Sequence, residues 1–288
     1  MYEAFYQLRE KPFSILPDPD LIYWGRMHSL AFTMLEFGVM NNAGFSVITG
    51  EIGSGKTTLV RHLLKKISPN ITTGLISNSP QGRQELLQWI LMSFEQPFDG
   101  DYPNLFKRLE EYLYGQFSAG RRTILIIDEA QNLEAEALEH LRMLSNINSD
   151  KYQILQIILV GQPQLRDLLL APQLRQFAQR ISSDFHLRPL SIEDVANYIA
   201  FRVRAVGATR PLFTPEACDT IGAASGGIPR MINILCDTAL VYGFAAGKQT
   251  IGVELVREVI ADKQQYSIFP VAIAVATSEA VVESRILI

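Results

Sequence analysis

The chain has 288 residues, a net charge of −4 and an isoelectric point near 5.7, with 48% hydrophobic and 19% charged residues. This balance is typical of a folded soluble protein, and the negative charge disfavours an overall basic nucleic-acid binder without excluding a local basic patch. The only cysteines, Cys218 and Cys236, have no CxxC spacing. They therefore indicate reduced, buried thiols, not a disulfide framework or a metal site.

The N-terminal sequence MYEAFYQLREKPF carries charges throughout and lacks the apolar core and cleavage site of a signal peptide. No apolar stretch reaches the roughly 20 residues that a membrane-spanning helix needs. The nearest one, SIFPVAIAVATSEAVVESRILI, is interrupted by Pro270, Glu279, Glu283 and Arg285. We therefore expect a cytoplasmic protein with no direct membrane span, and a tail over 265–288 that docks or is weakly ordered.

Short apolar runs alternate with helical periodicity as far as about residue 189. Five runs are typical of buried strands, at 45–50, 72–77, 123–128, 154–161 and 184–187. Helical spacing follows residue 56 and recurs at 83–94, 104–117 and 134–146. Because strands that alternate with helices build parallel sheets, the sequence predicts an α/β fold with a parallel five-stranded sheet covered on both faces.

The pattern changes to helices alone after residue 190. The first candidate helix, 191–206, opens with Ser191 and Asp194 in a capping-box arrangement. The second, 214–225, has Thr214 as N-cap and Pro215 at its first position, and two more cover 226–247 and 252–263. We predict a core domain over 45–189, a helical domain over 190–264, and an N-terminal linker and helix over 1–44.

The sequence TGEIGSGKTTLV, residues 49–60, follows the first strand and opens the first helix of the core. It fits the pattern G-x-x-x-x-G-K-[ST] in the strand-to-helix context that this phosphate-binding motif requires. Glycines let successive backbone N–H groups point at phosphate oxygens, and the helix start adds its positive dipole end. Lys56 is expected to reach the β- and γ-phosphates and Thr57 to bind Mg²⁺. The predicted ATP-binding residues are Gly50, Glu51, Ile52, Gly53, Ser54, Gly55, Lys56, Thr57 and Thr58.

Asp128 and Glu129 end the apolar run ILIID. A carboxylate at the carboxyl end of a parallel strand beside a phosphate loop lies where Mg²⁺ binds, which is the role predicted for Asp128. The adjacent Glu129 is placed to orient and deprotonate water. The chain is therefore predicted to bind Mg-ATP and to hydrolyse it to ADP and phosphate.

Four stretches together resemble one family of ATPases: MYEAFYQLREKPFSILPDPDLIYW, GFSVITGEIGSGKTTL, IIDEAQNL and ASGGIPRMINILCDTALVYG. They are similar to the general secretion pathway ATPase A (ExeA-like) group of AAA+ ATPases and to its relative associated with exosortase (PEP-CTERM) systems. The resemblance runs from residue 1 to about 264. It implies a P-loop NTPase AAA+ core followed by a small C-terminal helical lid domain.

The resemblance also implies roles for individual residues. Gln162, at the end of the fourth strand, corresponds to the polar sensor of the γ-phosphate, although the more usual asparagine is absent. Arg180 fits the arginine that reaches the neighbouring subunit's nucleotide, with Arg175 as the alternative; either could instead be a surface helix residue. Arg230 in GGIPR corresponds to the arginine that reports nucleotide state to the lid.

Several other side chains near these motifs leave two interpretations open. The loop PDPDLIYWGR is expected to cover the adenine, as in related ATPases, but Tyr23 and Trp24 could equally be core aromatics. We expect His28 on a helix surface. The basic residues of RHLLKK (61–66) are expected to form a solvated face that does not contact phosphates.

The resemblance implies an oligomeric ATPase at the inner face of the membrane that energises or regulates a secretion or exopolysaccharide export system through a protein partner. An alternative is a DNA-associated AAA+ regulator of the transposition type, which the net charge of −4 disfavours. A nucleotide-switched scaffold with little turnover is a third possibility, and Glu129 argues against it. Because the sequence ends at Ile288, we expect it to resemble the shorter relatives that lack a transmembrane helix.

Overall fold

A computed structural model describes residues 1–16, 18, 21–77, 80, 82–149 and 152–266. The described residues divide into two compact units. One unit comprises Pro12–Leu190 together with Ile228–Arg230, and the other comprises Met1–Lys11, Ser191–Gly227 and the chain from Met231 onward. The predicted tail lies outside the described residues from residue 267, and so do Pro17, Pro19 and Asp20 of the predicted adenine loop.

The larger unit contains seven strands and seven α-helices with described bounds. The strands are β1 (Phe45–Gly50), β2 (Ile71–Ile76), β3 (Arg122–Ile127), β4 (Asn148–Ser149), β5 (Tyr152–Gln153), β6 (Leu155–Gly161) and β7 (Ile181–Leu187). Beyond α1 (Glu3–Tyr6) of the smaller unit, the helices in chain order are α2 (Arg26–Met40), α3 (Lys56–Lys66), α4 (Gly82–Ser93), α5 (Tyr102–Ser118), α6 (Ala135–Leu144), α7 (Pro163–Leu169) and α8 (Arg175–Ala178).

Five of these strands form one parallel sheet in the order β2-β3-β6-β1-β7. The predicted five-stranded parallel sheet is thus confirmed. The strand order brings three carboxyl ends side by side, because Ile127 of β3 pairs with Leu159 of β6, and Gly161 of β6 pairs with Thr49 of β1. In open α/β sheets, ligands bind at this carboxyl edge.

Apolar side chains cover both faces of the sheet. Along β3, Leu125 and Ile127 point into the cluster formed with α4 to α8, whereas Ile124 and Ile126 point into the cluster formed with α2 and α3. All four side chains are 0% exposed. A strand buried on both faces needs an uninterrupted apolar run, which is why its sequence could be recognised directly.

The four predicted C-terminal helices are present as α9 (Ile192–Ala205), α10 (Pro215–Ser225), α11 (Pro229–Ala245) and α12 (Val253–Tyr266). The predicted caps are formed as well, since Ser191 Oγ accepts from the Asp194 N–H at 3.2 Å and Thr214 Oγ1 accepts from the Ala217 N–H at 3.3 Å. Each cap satisfies a backbone donor that the first helical turn leaves without a partner.

Residues Met1–Lys11 pack within the helical unit. The Tyr6 hydroxyl lies 3.2 Å from the Leu240 carbonyl oxygen and 3.1 Å from that of Lys248, the Tyr2 hydroxyl donates to Asp237, and the Arg9 N–H donates to Val206 O at 2.9 Å. The predicted N-terminal segment 1–44 is therefore divided between the two units at residue 11. Among the described residues, no helix combines the length and apolarity needed to cross a membrane.

Candidate functional site

The predicted nucleotide residues lie at the carboxyl edge of the three adjacent strands. The loop Glu51–Gly55 joins the end of β1 to the start of α3, Asp128 and Glu129 directly follow β3, and Gln162 directly follows β6. Because β6 lies between β3 and β1 in the sheet, its terminal Gln162 stands between the acidic pair and the loop. The topology thus assembles one candidate site from three separate parts of the sequence.

Backbone geometry explains the glycines of the phosphate loop. Gly53 and Gly55 have φ angles of 78° and 103°, in the left-handed region that favours glycine. A Cβ on Gly53 would also lie only 2.4 Å from the Cβ of Arg230. The Arg230 N–H donates to the Gly53 carbonyl at 3.2 Å, so the loop needs glycine at this position for both conformation and close approach.

Lys56 is buried at 6% exposure at the start of α3. Its Nζ donates to the carbonyl oxygens of Gly50 at 2.8 Å and Glu51 at 2.9 Å. Burial lowers the pKa of Lys56, and the negative charges of Glu129 and Asp128 oppose that effect. The ammonium group is therefore held inside the loop with carboxylates close enough to influence it.

The Thr57 hydroxyl donates to Asp128 Oδ2 at 2.8 Å. The Thr57 hydroxyl and the Asp128 carboxylate are hard oxygen ligands, which Mg²⁺ prefers. Mg²⁺ commonly takes one or two protein ligands and completes its octahedral coordination with waters and substrate phosphates. Among the described residues, there is no group of three or more His, Cys, Asp or Glu side chains that could hold a metal. The pair fits a magnesium ion that is shared with bound phosphate.

Glu129 has a left-handed backbone, with φ 53° and ψ 35°, although it is not glycine. Its N–H donates to Asp128 Oδ1 at 3.0 Å. Left-handed non-glycine residues cluster at functional sites because the surrounding structure must hold them there. The turn after β3 therefore points two consecutive carboxylates toward different partners. Asp128 accepts from the Thr57 hydroxyl, and Glu129 accepts from two glutamine amides.

Two glutamine amides hold the Glu129 carboxylate. Gln131 Nε2 donates to Glu129 Oε2 at 2.7 Å and Gln162 Nε2 donates to the same oxygen at 3.0 Å. The glutamines are also linked to each other, because the Gln162 N–H donates to Gln131 Oε1 at 2.9 Å. This closed network fixes the Glu129 side chain between the ends of β3 and β6.

The same network controls the charge of Glu129. Burial raises the pKa of the carboxyl group, but donation by Gln131 and Gln162 and the positive charge of Lys56 outweigh it, so the pKa of Glu129 lies below its ordinary value. The carboxylate is ionised at neutral pH. It can therefore accept a proton from a bound molecule.

Comparison with known proteins agrees with this geometry. An AAA domain model matches residues 39–169, which include the phosphate loop, the acidic pair and Gln162. General secretion pathway protein A of Aeromonas hydrophila is 42% identical over 253 residues, covering 87% of this chain and 46% of that protein. The chain is an AAA+ protein related to general secretion pathway protein A. The family resemblance predicted from the sequence is thereby confirmed, with the chain spanning about half the length of this curated relative.

Solved structures confirm the AAA+ fold at much lower identity. The Aeropyrum pernix ORC2 protein, described as ADPNP–ADP complexes, matches with a TM-score of 0.65 and 19% identity, covering 88% of this chain and 71% of that chain. Cdc6p from Pyrobaculum aerophilum matches with a TM-score of 0.64 and 17% identity, covering 85% and 71%. At these identities, the likeness shows the fold alone.

The three predicted arginines of this AAA+ chain lie in different surroundings. Arg230 contacts the phosphate loop through its backbone, while its side chain is exposed. Arg180 is half-buried, and its Nη1 donates to Ser145 Oγ at 3.0 Å and to Asn146 Oδ1 at 2.5 Å, in the loop after α6. Arg175 is exposed on α8. Arg180 is thus tied to its own chain, whereas Arg175 presents its side chain to solvent.

Two further side chains, Gln131 and His28, contact the predicted site residues. Gln131, within IIDEAQNL, has no predicted role, although it contacts both Glu129 and Gln162. His28 was expected on a helix surface, and this prediction was wrong because the ring is only 7% exposed and lies against the Ser54 carbonyl. A signal was present in the sequence, since His28 continues the apolar spacing of Phe32, Leu35 and Val39.

Trp24 and the basic residues of RHLLKK (61–66) differ in how far they are exposed to solvent. Trp24 keeps 42% of its surface exposed while its ring packs on Phe32 and His62, with centroids 5.3 and 5.0 Å away. It is therefore neither fully buried nor isolated in solvent. The basic residues of RHLLKK (61–66) are exposed, as expected for a solvated face: Arg61, Lys65 and Lys66.

Proposed function

We propose that this AAA+ chain binds Mg-ATP and hydrolyses it to ADP and phosphate. The observation that carries the proposal is the convergence of Lys56, the Thr57–Asp128 pair and the clamped Glu129 at one edge of the sheet. These groups supply a cation for phosphate, oxygen ligands for magnesium and an ionised base. The nucleotides in the description of the ORC2 relative are consistent with this use of the fold.

The phosphate groups would bind to the backbone of Gly50–Thr58 and to Lys56. Lys56 Nζ would exchange its two carbonyl partners, Gly50 and Glu51, for phosphate oxygens, which accept charge-assisted hydrogen bonds more strongly than carbonyls do. Thr57 and Asp128 would hold magnesium, which supplies charge neutralisation at the phosphate oxygens. Gln162 would contact the γ-phosphate from the end of β6.

Glu129 would act as the general base. The water oxygen forms a bond to the γ-phosphorus, the bond from that phosphorus to the bridging oxygen of ADP breaks, and Glu129 accepts the proton that water gives up. The two glutamine amides keep the carboxylate ionised and aimed before the substrate arrives. Preorganisation of this kind lowers the barrier because the group need not reorient during the reaction.

We also propose that hydrolysis is completed between subunits of a homo-oligomer. Arg180, with Arg175 as the alternative, would stabilise charge on the neighbour's transferred phosphoryl group, and Arg230 would couple the nucleotide to the helical unit. The relative's description as general secretion pathway protein A supports a role in a secretion or export system. That role would be exerted from the cytoplasm, through a partner at the inner membrane.

The first experiment separates binding from hydrolysis in purified protein. Lys56→Ala should weaken binding of a fluorescent ATP analogue by at least about tenfold, whereas Glu129→Gln should bind normally and lose about 10²- to 10⁴-fold in phosphate release. Lys65→Ala, an exposed lysine on the same helix, is the matched control and should behave as wild type. Equal rates in wild type and Glu129→Gln would refute the proposed base.

The same assay is repeated with duplex DNA. Secretion-type activity should be insensitive to DNA. Strong stimulation would instead support the transposition-type regulator and would overturn the export proposal while leaving the ATPase chemistry intact.

A further inference from the structure

His28 lies in the first turn of α2, at the N-terminal end of the helix's buried stripe. The stripe continues through Ala31, Phe32, Leu35 and Val39, which pack with α3 and β1 residues in one apolar cluster. At 7% exposure, the imidazole is the polar end of this stripe. A buried polar ring must use its hydrogen-bonding capacity within the protein.

The imidazole contacts the backbone of the phosphate loop. His28 Nε2 lies 3.0 Å from the Ser54 carbonyl oxygen, in buried surroundings. Because a carbonyl oxygen only accepts, Nε2 carries the proton and donates. The Ser54 N–H in turn donates to Glu51 O at 3.1 Å, so Ser54 is held through both of its backbone polar groups.

This contact acts on the peptide between Ser54 and Gly55. Donation to a carbonyl oxygen polarises its peptide unit and strengthens the N–H of the same unit as a donor. That N–H belongs to Gly55, inside the predicted phosphate loop. Gly55 also makes room for the ring, because a Cβ there would lie 3.1 Å from His28 Nε2.

We propose that His28 is a positioning residue for the phosphates of the bound nucleotide. It fixes and polarises the Ser54–Gly55 peptide from the side of α2, and so sets the affinity of the loop for phosphate without touching the nucleotide. The inference rests on the proposed nucleotide-binding function and assigns the phosphate moiety, not the base or sugar, as the part whose recognition depends on His28.

The competing explanation is that His28 only satisfies a buried carbonyl and supports the packing of α2. Both explanations predict some loss of stability when the ring is replaced. They differ in what happens to two ligands, because adenosine carries the base and sugar of ADP and no phosphate. Only a positioning role predicts a loss confined to ADP.

The test measures ADP and adenosine affinity on the full chain, by displacement of a fluorescent ADP analogue, together with the thermal midpoint of the unliganded protein. His28→Leu should weaken ADP binding by about three- to tenfold, as expected for one hydrogen bond, and leave adenosine within about twofold. His28→Gln places an amide donor at similar reach and should restore ADP affinity. His28→Asn is equally polar but too short and should not.

His140→Leu is the matched control, since it removes another buried histidine, on α6, whose Nε2 bonds to the Tyr102 hydroxyl. It should lower the thermal midpoint and leave the ADP-to-adenosine affinity ratio unchanged. The inference is overturned if His28→Leu and His28→Asn bind ADP as wild type does, or lose both ligands equally. If wild type itself fails to bind ADP while remaining folded, the proposed function fails and the inference fails with it.

Discussion

The Glu129 carboxylate is held by two uncharged side chains. Gln131 and Gln162 both donate to Oε2, and the left-handed turn at Glu129 keeps the side chain within their reach. The two hydrogen bonds therefore fix the direction of the carboxylate and, together with the positive charge of Lys56, keep it ionised. Removal of one amide should affect both.

We predict that Gln131→Leu lowers kcat by about tenfold and leaves ATP affinity within about twofold, because the base is misaimed while the phosphate loop is intact. Donation by Gln131 lowers the pKa of Glu129, so its loss raises that pKa. The base then becomes protonated at higher pH, and the acidic limb of the kcat profile should move upward. Phosphate release between pH 5 and 8 measures both effects.

Gln164→Leu is the control for this change, since Gln164 is an exposed glutamine on α7. It should leave the rate and the profile unchanged. A Gln131→Leu enzyme with wild-type kcat and an unmoved acidic limb would show that Gln131 has no part in controlling Glu129.

At the scale of elements, α5 and α6 are joined by a buried polar pair. The Tyr102 hydroxyl and His140 Nε2 are 2.7 Å apart, and His140 is only 1% exposed. Burial, with a smaller contribution from the positive charge of Arg83 and an opposing one from Glu136, lowers the pKa of His140 to about 4. The histidine is therefore neutral in the folded protein at any physiological pH.

This pair predicts how stability depends on pH. The unfolded chain takes up a proton on His140 near pH 6.5, whereas the folded chain does so only near pH 4. The contribution of His140 to stability is therefore fully present above pH 6.5 and is lost as pH falls toward 4, by up to about 3 kcal/mol. Urea unfolding of wild type and His140→Leu at pH 7.5, 6 and 5 measures it.

Carboxylates also titrate over this range, so the informative quantity is the difference between the two proteins. The free energy of unfolding should be lower for His140→Leu at pH 7.5, and the gap should narrow as pH falls. A gap that stays constant from pH 7.5 to 5 would contradict the lowered pKa.

Elements with a continuous or strictly periodic apolar pattern could be predicted from the sequence. The runs at β1, β3 and β6 are buried on both faces and are therefore mostly apolar. Their few polar side chains that are buried with them are Ser46, Thr49, Thr123 and Gln156. Helix α2 was harder to bound, because Leu30, Phe37 and Met40 are exposed apolar residues that blur its buried stripe. The seven-residue helix α7 was missed because two turns are too short to show periodicity.

At the scale of the whole molecule, contacts between distant parts of the chain could not be read from local pattern. No periodicity indicates that Tyr6 bonds to Leu240, 234 residues away, or that residues 1–11 belong to the helical unit. Motif residues were predictable because phosphate chemistry constrains their spacing. The contacts of Gln131 with Glu129 and of His28 with Ser54 were not predictable, because only the folded chain brings these residues together.

Arg180 and Arg175, the two candidates for reaching the nucleotide of a neighbouring subunit, differ in their surroundings. Arg180 donates hydrogen bonds to Ser145 and Asn146 of its own chain, whereas the Arg175 side chain is exposed to solvent. A guanidinium has five N–H donors in a fixed fork, so Arg180 retains the capacity to bind a second partner. Its anchored end would preorganise it, at the cost of a narrower reach than that of Arg175.

If an arginine acts on the neighbour's nucleotide, the ATPase rate per subunit rises with protein concentration, and Arg180→Ala lowers the plateau by about 10³-fold or more.

Mixing two inactive variants then identifies which arginine acts on the neighbouring subunit. A Glu129→Gln subunit cannot hydrolyse ATP but keeps its arginines, so added to inactive Arg180→Ala it should restore part of the rate. If Arg175 is the donor, only the mixture with Arg175→Ala recovers activity, and Arg180→Ala instead loses thermal stability through Ser145 and Asn146. A rate independent of concentration, with no recovery in either mixture, would contradict a site shared between subunits and would confine catalysis to the residues of a single chain.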